Sequence, residues 1–217
     1  MKKYIILSLL SLLLSLPVIH SQEGLKEKWS ETVLAEANTV KDADYLTNQE
    51  KEIIVFMNLA RLDGQLFVDT YLTFYLELTS KNKTKNVKSL IRDLENLEKL
   101  EPITPQKDLF NIAKDHAKTM GKKGATGHDK FNERYDPALK TYNMVGENCY
   151  YGKGDALDIV LTLLIDENVP NLGHRKNILN AGFNCVGVSV QPHKEYGENC
   201  VMSFGNLPKK SGYGILQ

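Results

Sequence analysis

Apolar side chains recur at helical spacing along much of this chain. The run Thr47-Asn-Gln-Glu50 has the form of a capping box, and Ile53, Ile54, Met57 and Ala60 follow it on one helical face. Asp63-Gly64 closes that helix. Leu66 to Leu78 resumes with interleaved aromatics, and Ser80 to Asn86 is a polar connection. Val87, Ile91, Leu94 and Leu97 predict an amphipathic helix over 87–100. The clearest helix opens at Pro105, where Leu109, Ile112, Ala113, His116, Ala117 and Met120 make one continuous stripe ended by Gly121 and Gly124. Asp155 caps a strongly apolar helix running to about Ile165, and Arg175 to Leu179 reads as a further turn or two.

Two β-like runs, CVGVSV from Cys185 and CVMSFG from Cys200, are separated by QPHKEYGEN. Paired as an antiparallel hairpin centred near Pro192 and His193, they would set Cys185 opposite Cys200. That pairing permits a disulfide, the alternative being two free buried thiols. Cys149 is then either buried and free or a competitor for one of the others. Residues 125–154 are rich in Gly, Asn, Asp and Tyr without a sustained period, and read as loop with short strands. Residues 22–44 are charged and hold the only tryptophan, Trp29, a residue suited to packing a tail onto a domain. His193 and Lys209-Lys210 read as solvated. Helices first, an irregular middle and a terminal hairpin make an α+β domain whose sheet is covered by helices.

Charge narrows the partners. The 27 basic and 27 acidic residues cancel, so there is no broad footprint for nucleic acid or an anionic membrane. The N-terminus carries Lys2 and Lys3, an apolar run from Tyr4 to Leu16, then Pro17 and the small residue Ser21. This is the pattern of an export signal cleaved after Ser21, with an apolar run too short for a comfortable membrane span. We expect residues 1–21 to be a signal peptide and the mature chain, without a membrane span, to be periplasmic or extracellular in a bacterium.

Four residues stand out chemically. His128 lies in the glycine-flanked GATGHDKF, and Glu147 in VGENCYYG. Asp166 ends the apolar helix, where an acid opposes the helix dipole, and His174 lies in NLGHRKNIL. Two imidazoles and two carboxylates suit a divalent metal such as zinc, and equally a general-base arrangement. Spacing alone does not unite them. His116, inside an apolar stripe, reads as a core histidine or as a group orienting a cleft residue. Asn148 reads as a backbone hydrogen-bonder and Arg175 as a structural ion-pair partner. Ser189 and Ser203 lack a convincing base, so a Ser-His-Asp triad has no support.

The runs ALKTYNMVGENCYYG, ALDIVLTLLIDENVPNLGHRKNIL, FNCVGVSV and CVMSFG, with EKEIIVFMNLARLDGQLF and LFNIAKDHAKTMGKKGATGHDKF upstream, resemble the CAP superfamily in its bacterial form. That group comprises the cysteine-rich secretory, antigen 5 and pathogenesis-related proteins. The resemblance spans residues 45–206, leaving 22–44 as an N-terminal extension and 207–217 as a tail. It implies an α-β-α sandwich with a central, mostly antiparallel sheet and a surface cleft lined by His128, Glu147, Asp166 and His174. Any metal would be held by His128 and His174 with Glu147 or Asp166. Asp166 stands where many members have Glu, and Leu163 where many have tryptophan. The expected function is a non-catalytic extracellular binding module whose partner is a small lipid-like ligand or another protein. The alternative is a zinc-dependent or general-base hydrolase in which Glu147 is catalytic.

Overall fold

The computed structural model describes residues 24–79 and 84–208. The expected signal peptide, part of the 80–86 connection and residues 209–217 lie outside them. No described helix is long and apolar enough to cross a membrane.

Helix α1 (Glu31–Ala37) starts at Ser30, whose side chain accepts the Val33 N–H. Just before it, Trp29 is buried and stacks on Tyr71 with ring centroids 6.0 Å apart. The 22–44 segment therefore contributes Trp29, Ala37, Val40 and Ala43 to the main core. Helix α2 (Asn48–Leu62) carries the capping box read from sequence, with Thr47 and Glu50 each accepting the other's backbone N–H. The second oxygen of Glu50 accepts the Val190 N–H at 2.9 Å. Helix α3 (Gly64–Phe67), a π-helical stretch (Val68–Leu72) and α4 (Thr73–Thr79) follow. Helix α5 (Lys85–Glu95) begins at the Thr84 cap and stops short of the predicted Leu100. There the Asn96 side chain takes the Arg92 carbonyl at 2.7 Å, and the chain straightens.

Helix α6 (Lys107–Lys123) ends at Gly124 in the left-handed region, φ 68°. Gly121 does not end it. That glycine lies within the last turn because a Cβ there would stand 2.1 Å from the Pro192 carbonyl oxygen. Then come α7 (Phe131–Tyr135), strand β2 (Val145–Tyr151), α8 (Ala156–Ile165), α9 (Gly173–Ile178) and the hairpin β3 (Cys185–His193) and β4 (Gly197–Gly205). A short β1 (Thr104–Pro105) joins β3 in parallel, while β3–β4 and β4–β2 are antiparallel, in the order β1-β3-β4-β2.

Alternation along β3 and β4 gives the sheet two apolar faces. Val186, Val188, Cys200, Met202 and Phe204 join the large core with α2 and α8. On the other face, Leu109, Ala113 and Ala117 of α6 cover Cys185, Val201 and Cys149. The result is an α-β-α sandwich.

The hairpin corrects two expectations. Its turn lies at Lys194–Tyr196, so Cys185 pairs with Gly205 and Cys200 with Val190. The two cysteines are thus an odd number of residues out of register and face opposite sides of the sheet, which excludes the disulfide. Cys149, Cys185 and Cys200 are all free and buried. His193 is buried rather than solvated, its Nε2 bonded to the Ala125 carbonyl at 2.9 Å.

Candidate functional site

The structure assembles the four candidate residues as two carboxylate–imidazole pairs. Glu147 projects from β2 toward α6 and α7, and His128 precedes α7. Their Oε1–Nδ1 distance is 2.8 Å. Asp166 occupies a left-handed position (φ 57°) at the end of α8, and its Oδ1 lies 2.6 Å from His174 Nδ1. The neighbouring Glu167 is exposed. In both pairs the acid lies behind its histidine: the Glu147 and Asp166 side chains are 0% and 1% exposed, against 47% for His128 and 23% for His174. An ionised carboxylate only accepts, so each imidazole donates from Nδ1 and turns Nε2 away from its acid.

The pairs meet through β2. Glu147 and its neighbour Asn148 project to opposite sides of the strand, and Asn148 Nδ2 donates to the His174 carbonyl at 3.0 Å. Asn177 of α9 donates to Asn148 Oδ1 at 2.8 Å and to the Glu147 carbonyl at 3.3 Å.

Different groups hold the two acids. Arg134 of α7 places Nη1 2.5 Å from Glu147 Oε2 and Nη2 2.8 Å from Oε1. The Tyr135 hydroxyl is 3.1 Å from Oε2 and 2.5 Å from Ser203 Oγ on β4. Burial alone would raise the proton affinity of Glu147. The His128 and Arg134 hydrogen bonds and the Arg134 charge outweigh it and bring the pKa down to about 2. Asp166 instead accepts backbone N–H groups, from His174 at 2.9 Å and Arg175 at 3.3 Å, in the manner of an N-cap for α9.

His116 is buried 3.7 Å from Glu147 Oε1, with its Nε2 3.0 Å from the Gly127 carbonyl. Burial lowers its pKa and favours the neutral ring. Arg175 is fully enclosed. It donates to the Leu164 and Ile165 carbonyls at the end of α8, to the Asn86 carbonyl and Ser89 Oγ of α5, and to Asp93 at 3.0 Å.

His116, Glu147 and Cys149 form a cluster whose ligand atoms lie within 4.8 Å of one another, a spacing that can hold a metal ion. Sequence reading missed Arg134, Tyr135 and the place of Cys149. Arg134 and Tyr135 lie in an aperiodic stretch, where the one available signal was that a buried Glu147 needs a cationic partner.

The domain is thus an α-β-α sandwich with acid–histidine pairs astride its edge strand β2. The sequence profile of the cysteine-rich secretory protein family, CAP, matches residues 90–204. The chain belongs to that family. Among solved structures, an outer surface protein from Borrelia burgdorferi is 18% identical with a TM-score of 0.42, the match covering 50% of this chain and 80% of that one. An extracellular protein containing an SCP domain from Bacillus anthracis is 22% identical (TM-score 0.40), with 56% and 40% covered. A cysteine-rich secretory protein from Staphylococcus aureus is 18% identical (TM-score 0.39), with 58% and 40% covered. The match thus spans four tenths of each of the last two proteins. No curated protein matches this chain.

Proposed function

We propose that this chain is an exported, non-catalytic binding module whose cleft presents the Nε2 atoms of His128 and His174 to a small ligand or a partner protein. The supporting observation is the state of Glu147. With Arg134 on both oxygens and a pKa near 2, it is a poor proton acceptor at neutral pH and serves to orient His128. General-base hydrolysis through Glu147 loses its base. A hydrolase reading would run instead through His174, which Asp166 orients at 2.6 Å.

The donor chemistry also fits a divalent metal. Neutral imidazoles with Nδ1–H tied to carboxylates are the usual arrangement of histidine ligands, the acids acting from behind. His128 and His174 would hold the metal through Nε2, and it would supply a Lewis-acidic anchor for an oxygen or nitrogen group of the ligand. Expected ligands are lipid-like molecules bearing a polar head, or extracellular protein loops.

Calorimetric titration with Zn²⁺, native protein beside a His128→Ala, His174→Ala double mutant, tests the reading. Saturable one-to-one binding lost in the double mutant supports it. Binding unchanged by the mutations refutes the metal-presenting cleft. Turnover of peptide or ester substrates, abolished by His174→Ala, would refute the non-catalytic assignment.

A further inference from the structure

Cys149 shares the buried end of the Glu147 pair. Its Sγ lies 3.7 Å from His128 Nδ1 and 3.9 Å from Glu147 Oε1, atoms that are themselves 2.8 Å apart. The corners of a tetrahedral zinc site built from N, O and S donors stand about 3.3–3.6 Å apart. The triangle is therefore within about half an ångström of three such corners. His116 forms the cluster described above with Glu147 and Cys149, its Nε2 3.7 Å from the same Glu147 oxygen.

We propose that Cys149 Sγ, Glu147 Oε1 and His128 Nδ1, with His116 alongside, form an inner site for a borderline-soft divalent cation of the Zn²⁺, Co²⁺ or Cd²⁺ class. The site rests on the binding-module reading, since it shares the His128–Glu147 pair with it, but it turns His128 Nε2 from an acceptor into a donor and needs nothing from His174. A thiolate ligand selects softer metals and disfavours Mg²⁺ and Ca²⁺.

Binding moves protons in a defined way. The thiol gives its proton to solvent as the sulfur–metal bond forms. The His128 proton transfers from Nδ1 to Nε2, freeing the Nδ1 lone pair, and Glu147 is already ionised. One proton is released per metal. A coordinating thiol binds as the thiolate, so affinity rises with pH. Arg134 keeps its bond to Oε2 and yields the one to Oε1. Its charge opposes the cation, so Arg134→Gln is expected to tighten binding.

The test is a Co²⁺ titration of the reduced full-length protein, followed by thiolate-to-cobalt absorption in the near ultraviolet. Zn²⁺ calorimetry at pH 8 in two buffers of different ionisation enthalpy counts released protons. We expect a saturable one-to-one band and one proton per metal. Cys149→Ala should abolish the band and weaken binding at least about 100-fold, while His174→Ala leaves both intact. Melting curves establish that Cys149→Ala is folded, and Cys149→Ser, which keeps the volume, serves as a second variant. Binding without the band or proton release, and lost in His174→Ala, overturns the inner site while upholding presentation through Nε2. A band that survives His174→Ala upholds the inner site. No binding by the native protein overturns both.

Discussion

The two acid–histidine pairs look alike from the solvent and differ in what lies behind them. Glu147 is clamped by charge: a guanidinium on both oxygens, a tyrosine hydroxyl and two imidazoles. Asp166 is clamped by backbone, as the cap of the helix that carries its own histidine. A charge clamp is stiff only while the Glu147–Arg134 ion pair is intact, because a buried unpaired charge is costly. A backbone clamp loses one hydrogen-bonding group at a time. The same surface chemistry thus rests on a brittle support in one half and a forgiving one in the other.

Removing each acid should break the symmetry most visibly. Glu147→Ala strands the largely buried Arg134, and we expect a loss of about 3–5 kcal/mol in urea unfolding. A loss below about 1 kcal/mol would mean that Arg134 finds water instead.

Acid should act on the same half. The folded pKa of Glu147 is about 2 against an ordinary 4.5, so its stabilisation is complete above pH 4.5 and lost as pH falls toward 2. The shift corresponds to about 3 kcal/mol. The depressed pKa of His116 works in the same direction, since the unfolded chain takes up that proton first as pH drops. Glu147→Gln should flatten the acid limb of the stability curve between pH 4.5 and 2, and an unchanged limb would place the acid sensitivity elsewhere.

Asp166→Ala should cost less, about 1–3 kcal/mol, with α9 fraying first in hydrogen exchange at the His174 and Arg175 amides. Equal losses in the two alanine variants would erase the distinction between the clamps.

The smallest effect concerns Leu172, which enters α9 at φ 52°, a conformation unfavourable for leucine. Leu172→Gly removes that strain but adds freedom to the unfolded chain, for a net change within about 1 kcal/mol by thermal denaturation. A larger loss would show that the leucine side chain holds the loop.

Much of the scaffold was legible in the sequence because its signals are local. The Thr47–Glu50 box, the Asp155 cap and the stripe from Leu109 to Met120 all appear where read. The hairpin register was not legible. Pro192 read as a turn residue, yet it continues β3 two positions beyond Val190, whose N–H points away from β4 to Glu50. On that outward edge a missing N–H costs no ladder bond, so proline is tolerated and the turn moves on to Lys194–Tyr196. The disulfide expectation failed with it. Within the candidate site, Asp166 and His174 are eight residues apart with a shared helix terminus, a relation sequence can suggest. Arg134 reaches Glu147 only because α7 folds back over β2, which no period or motif records.

Arg175 joins the end of α8 to the start of α5, one peptide unit from His174. A ligand binding at that imidazole, as we propose, would meet a backbone whose freedom was surrendered when the domain folded. Little further ordering entropy need be lost on association at this half, so contacts made there convert more fully into affinity. Loosening Arg175 would show first as weaker binding with a less favourable entropy, before any change in the ligand's enthalpic contacts.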